Sequence, residues 1–145
     1  MGDGAALADR IAERRAGVGD PGALVGELRR ALVLVPYDRG GLWTAEFGGI
    51  RWVCGFTDEA ALARFAEERA VAEGAEDASR SWEYAAFRGA RLLDEVIPAM
   101  GVPAGVAVNV ADRDGSMLFP PVVGIVPDAV AVDADVDVPS GGRGL

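Results

Sequence analysis

Apolar positions along this chain change their spacing several times, and each change marks an element. Leu7 and Ile11 share one helical face with small alanines, and Asp3 stands where a helix N-cap belongs. Gly17-Val18-Gly19 closes that first helix. Asp20-Pro21 opens a second, whose apolar face carries Leu24, Val25 and Leu28. Leu32 to Val35 is an unbroken apolar run, the pattern of an inner strand covered on both faces. Pro36 and Gly40-Gly41 then bracket a turn.

Two alternating runs follow, Leu42 to Phe47 and Ile50 to Phe56, separated by Gly48-Gly49. A two-residue glycine loop between such runs predicts a tight hairpin, because the favoured turns need positive φ. The loop fixes the register: Phe47 opposite Ile50, Glu46 opposite Arg51, Ala45 opposite Trp52, Thr44 opposite Val53 and Trp43 opposite Cys54. One face then carries Trp43, Ala45, Phe47, Ile50, Trp52, Cys54 and Phe56, and reads as core. The other carries Thr44, Glu46, Arg51 and Val53, with an ion pair across the strands.

Thr57 begins the next helix, with Asp58 and Glu59 at its positive end and Leu62, Phe65 and Ala66 on its buried side. Gly74 stops it, and Glu73 to Ser81 reads as a surface loop. Trp82 to Arg88 is a predicted strand. Gly89 opens a helix with Leu92, Leu93, Val96 and Ile97 inward, ended by Pro98, Gly101 and Pro103. Val106, Val108 and Val110 alternate with Ala107 and Asn109 as a further strand. Asp112-Arg113-Asp114-Gly115 is turn chemistry, Met117-Leu118-Phe119 returns as a short strand, and Pro120-Pro121 breaks it. Val122 to Val132 adds a short terminal element. The expected architecture is a single α+β domain over residues 1–138. It has a mixed or antiparallel sheet of five or six strands, the hairpin 42–56 within it, helices packed on it and a flexible tail at 139–145.

The order of motifs resembles a known family. Leu34 to Tyr37 is followed by Leu42-Trp43-Thr44-Ala45-Glu46, then by the run from Gly48 through Phe56-Thr57-Asp58-Glu59 to Leu62. Gly89 to Val96 then precedes Gly105 to Val110. From Val33 to Phe119 this is similar to the N-terminal domain of the SseB family, named for enhanced serine sensitivity. The strand-to-helix junction Phe56-Thr57-Asp58-Glu59 is the most specific part of the likeness. The resemblance implies an α+β module of no settled activity, with a regulatory or scaffolding role rather than a reaction, and supplies no catalytic residues. Members often end the late strand with Asn-Pro, whereas here Asn109 is followed by Val110; the second domain of longer members has no counterpart in these residues.

Charge and composition narrow the chemistry. The 145 residues carry a formal net charge of −9, which disfavours nucleic acid and anionic membrane surfaces. Arg14-Arg15 and Arg29-Arg30, each beside acidic residues, read as solvated helix faces. Every basic residue is Arg, the usage of a GC-rich bacterial genome, so there is no Lys for a Schiff base or a phosphate loop. Histidine is absent too, which removes every Ser-His and Cys-His pair. Cys54, the sole cysteine, falls on the core face of the hairpin as a structural, inert thiol.

The remaining candidates are weak. Asp112, Asp114 and Gly115 start like a calcium loop, but Val123 stands where the closing Glu belongs. Asp133, Asp135 and Asp137 would share one strand face, and a solvated edge outweighs a cation site there. Asp58-Glu59 and Asp94-Glu95 are adjacent on helices and diverge by about 100°. The expectation is therefore no catalytic, cofactor-binding or metal-binding residue. Without a basic region and apolar run at Met1-Gly2-Asp3-Gly4, or a long apolar stretch, it is also a cytoplasmic protein. Its expected function is as a non-catalytic protein-interaction or regulatory module, acting on a protein partner or by self-association. The alternative is an enzyme using carboxylate and Arg chemistry on a small molecule.

Overall fold

The computed structural model describes residues 3–38, 41–74 and 83–134. Helices α1 (Asp3–Arg15) and α2 (Pro21–Arg30) pack against each other and precede the strands in the chain. Asp20 caps α2 by accepting a hydrogen bond from the Ala23 amide at 2.8 Å. The two helices contribute Leu7, Ile11, Leu24 and Leu28 to the main core, as their spacing predicts. The side chain of Asp3 lies outside the described residues.

The strands form a three-stranded and a four-stranded sheet. In the first, β1 (Leu32–Asp38) lies between β2 (Gly41–Leu42) and β5 (Tyr84–Arg88), both antiparallel to it. In the second the order is β3 (Thr44–Phe47), β4 (Ile50–Gly55), β6 (Ala104–Val108) and β7 (Met117–Phe119). The sheets meet where Leu34 and Phe56 exchange both backbone hydrogen bonds, at 2.9 and 2.8 Å. The β4–β6 pair is parallel and the rest are antiparallel, so the α+β class with mixed pairing holds, in two joined sheets rather than one.

Several sequence expectations change in detail. Pro36 does not end β1: the strand runs through it, and its carbonyl accepts the Trp43 amide at 2.8 Å. The Leu42–Phe47 run is interrupted at Trp43, which divides β2 from β3. Leu32, read as covered, is exposed at the edge of the core. Strand β6 stops at Val108, not Val110, because Asn109 adopts φ 55° and turns the chain away. All five β6 residues are buried, since a parallel inner strand is covered on both faces. The Gly89 helix is interrupted: α4 (Gly89–Arg91) passes into a π-helical turn over Leu92–Val96 and then α5 (Ile97–Ala99). Leu92, Leu93 and Ile97 still face the core, with Val96 half-buried. The Val122–Val132 segment holds one short 3-10 turn, Asp128–Val130. Trp82, Asp135, Asp137 and the 139–145 tail lie outside the described residues.

Helix α3 (Glu59–Ala72) also begins differently from the reading of its sequence. Asp58, not Thr57, is its N-cap, accepting the Ala61 amide at 2.8 Å. Thr57 is held elsewhere, as described below. The helix packs on one face of the four-stranded sheet, and the sheet divides the apolar interior in two. On the far face Val53, Val106, Val108 and Phe119 join the α1–α2 helices in the main core. On the α3 face Trp52, Cys54, Phe56 and Ala107 meet Ala61, Leu62 and Phe65 in a second, smaller cluster.

Candidate functional site

The hairpin β3–β4 adopts the register its sequence dictates, from Phe47↔Ile50 to Thr44↔Val53. Gly48 and Gly49 take φ 64° and 80°, the left-handed values a two-residue hairpin turn needs. Glu46 and Arg51 meet across the strands at 3.7 Å. Trp43 and Trp52 lie on one face, Trp52 buried and Trp43 half-buried.

That apolar face is only partly core. Helix α3 covers its base, where Phe65 meets Phe56 at 5.1 Å and Trp43 edge-on at 5.7 Å between ring centroids. One turn further along α3 the stripe ends in Arg69, whose guanidinium lies 5.2 Å over the Trp43 ring and pairs with Glu73 at 3.2 Å. Past Phe65 the buried residues of α3 are only alanines, Ala66 and Ala70. Phe47 at the hairpin tip is 71% exposed and Leu118 on β7 is 49% exposed. Between them runs an apolar cleft of about 260 Å³, walled by Trp43, Phe47, Phe65, Val110 and Leu118. Its floor is Trp52, which donates from Nε1 to the Phe47 carbonyl at 3.2 Å and lies over Gly105, where a Cβ would come within 2.8 Å of the indole. The cleft's single charged lining residue is Arg69.

Cys54 also borders the cleft but is 3% exposed. Burial pushes its thiol up to about 11, from an ordinary value of 9.0, against a smaller lowering by hydrogen bonding to Trp43. The thiol is buried, as its position on the core face of the hairpin predicts. Its folded pKa lies above the unfolded one, so its contribution to stability is complete below pH 9 and lost as pH rises towards 11. The loss is on the order of 2–3 kcal/mol. Chemical denaturation across that window should show the decline in the wild type and a shallower one in Cys54→Ala. Equal slopes would refute the assignment.

The strand-to-helix junction is organised by a residue the sequence reading placed inside a strand. Asn109 is 4% exposed and is the buried polar residue of the core. Its Oδ1 accepts the Thr57 amide and its Nδ2 donates to Thr57 Oγ1, both at 3.0 Å. Its own amide reaches the Gly55 carbonyl at 2.9 Å. Asn109 thus ties the end of β6 to the start of α3, and it is an element of architecture at the cleft's edge. The signal for it in the sequence was a lone polar residue within an apolar run.

The other candidates are dispersed. Asp112 is bound in a bidentate pair to Arg64, at 2.6 and 2.8 Å. Asp114 belongs to the β6–β7 turn. Asp133 accepts the Val123 amide at 2.8 Å, and its proposed neighbours fall outside the described residues. Glu59 accepts from the Tyr84 hydroxyl, and Asp94 pairs with Arg29. Arg15 is also engaged, donating to the Ser116 and Arg113 carbonyls at 2.9 and 3.1 Å. Among the described residues no three Cys, Asp or Glu side chains converge as a metal site, and no helix is long and apolar enough to cross a membrane. No protein family, curated protein or solved structure matches this chain.

Proposed function

We propose that this chain is a non-catalytic, cytoplasmic binding module that docks an apolar side chain of a protein in the cleft between the β3–β4 hairpin and α3. The observation that carries the reading is the open half of the hairpin's apolar face, with Phe47 exposed at its tip and aromatic walls behind it. Contiguous apolar surface rimmed by polar residues is the usual mark of a protein-contact site. The cleft's volume falls below the roughly 300–1,000 Å³ of small-molecule pockets, and suits one inserted side chain better than a metabolite. The SseB-like order of motifs in the sequence implies a regulatory or scaffolding role rather than a reaction, which points the same way.

The carboxylate-and-Arg enzyme has less behind it. Arg64, Glu67 and Glu68 do line a broad open hollow of about 630 Å³ on the solvent side of α3. Arg64 is committed to Asp112, however, and that hollow excludes little water, so developing charge would gain little there. Affinity capture from a native lysate tests the docking reading. Wild type should retain a binding protein, this chain included, that Phe47→Glu and Leu118→Glu both lose with folding unchanged. Capture indifferent to both substitutions would sink it, as would turnover abolished by Glu67→Gln.

A further inference from the structure

The cleft lies beside an open sheet edge, and the two share the residues of β3. A two-residue hairpin loop makes Phe47↔Ile50 a hydrogen-bonded pair, and such pairs alternate along the ladder. Ala45 therefore spends its backbone groups on β4, while Thr44 and Glu46 direct theirs outward. Among the described residues no strand pairs with that outer edge. An occupant that satisfies both features must bring a strand and, on the same face, an apolar side chain.

We infer that the occupant is a second copy of this chain, joined β3 to β3 about a two-fold axis through Ala45. This rests on the docking reading of the cleft and names its partner. The register follows from the sequence of the strand. Pairing Ala45 with its own copy sets Trp43 opposite Phe47 of the second copy, and Thr44 opposite Glu46. The apolar faces of the two hairpins then run together, and each exposed Phe47 reaches the Trp43 end of the other copy's cleft. Four backbone hydrogen bonds form between the Thr44 and Glu46 positions. A two-fold at Glu46 would oppose two carboxylates, and a two-fold at Thr44 would set Phe47 against Gly41. A shift by one residue would join an apolar face to a polar one.

Charge sets the conditions under which this association occurs. The edge itself is nearly neutral, since Glu46 faces Arg51 at 3.7 Å. Each copy carries a net −9, so the copies repel at long range and added salt relieves the repulsion. Dimerisation should therefore tighten as salt rises. Binding of a basic partner to the same acidic chain would weaken instead. One short strand pair and two inserted rings make a small interface, so the dimer is concentration-dependent.

Sedimentation velocity on the full chain, from micromolar to millimolar concentration at low and high salt, reads this directly. The expected result is a monomer–dimer equilibrium that strengthens with salt. Thr44→Pro removes only an outward N–H, and Phe47→Glu places a charge in the partner's cleft. Each should weaken the dimer by about tenfold or more. Ala45→Cys lies on the two-fold, where facing Cα atoms of a non-hydrogen-bonded pair stand about 4.5 Å apart, within disulfide range. It should cross-link on mild oxidation, and Thr44→Cys should not. A chain that stays monomeric throughout overturns the inference, as does a dimer untouched by Thr44→Pro or an Ala45→Cys variant that never cross-links. If that monomer still captures a different protein in a Phe47-dependent way, the cleft remains a docking site and only the second copy is excluded. If it captures none, both readings fall.

Discussion

Gly89→Ala should cost about 3 kcal/mol or more of folding stability, a large part of the roughly 5–15 kcal/mol typical of a domain. The β5–α4 corner packs directly on the C-terminal end of α2. A Cβ at Gly89 would stand 1.8 Å from the Leu28 carbonyl oxygen and 2.6 Å from its carbon. Both are backbone atoms, so no side chain can rotate aside. Relief requires the corner and the helix end to part by more than an ångström. That movement strains the Gly89 amide bond to the Ala31 carbonyl, at 2.9 Å, and the Arg88 guanidinium bond to the Arg30 carbonyl, at 2.7 Å. These contacts satisfy carbonyls that the end of α2 leaves without helical partners. Urea denaturation should show a lower midpoint with an unchanged slope. Gly115→Ala is the control: its Cβ would meet Asp112 at 3.5 Å, an ordinary contact, and stability should move by no more than about 0.5 kcal/mol. A Gly89→Ala protein as stable as wild type would show that this corner is loose.

The second large effect belongs to Asn109. Its replacement by Ala removes both 3.0 Å bonds to Thr57 and leaves a sheltered amide without its acceptor. It also forces an alanine to φ 55°, a conformation Asn tolerates better. Together these should cost about 3 kcal/mol. Asn109→Gly separates the parts. It loses the same hydrogen bonds but relieves the backbone, and should be about 1 kcal/mol more stable than the alanine variant. Equal stabilities would show that φ 55° carries no strain there. A double-mutant cycle with Thr57→Ala should be strongly non-additive, since both substitutions break one pair of bonds.

Neither residue lines the cleft, but Asn109 holds the junction from which α3 crosses the hairpin face. Asn109 fixes where α3 leaves the sheet, and so how far the helix reaches across the hairpin face. The extent of α3 then decides how much apolar surface stays open. Substitutions at Asn109 should weaken docking only through stability, whereas Phe47 and Leu118 should act on docking with little effect on folding.

Much of this was legible in the chain itself. Gly48-Gly49 between alternating runs dictated the hairpin, its register and the face shared by Trp43 and Trp52, because the loop length and the period of two leave a single pairing. Asp20-Pro21 marked a helix start through side-chain capping, a local interaction that needs no tertiary context, whereas the start of α3 was read one residue early, at Thr57 rather than Asp58. The absence of His and Lys by itself removes most acid–base and nucleophilic arrangements. Local signals failed where one segment's state depends on a distant one. β1 continues through Pro36 because its carbonyl meets the Trp43 amide, a contact made across a turn. β6 ends at Val108 because the next side chain, Asn109, binds Thr57, 52 residues away. Whether the hairpin's apolar face was core or surface could not be read from its own alternation. Seven residues on one side look alike in sequence, yet Trp52 and Phe56 are buried while Phe47 is exposed. The difference lies in α3, whose last large buried side chain is Phe65, with Arg69 one turn on lying over Trp43 and only the small Ala66 and Ala70 buried beside it. Burial requires a second element to cover the face, and only the tertiary structure decided how far that cover extends.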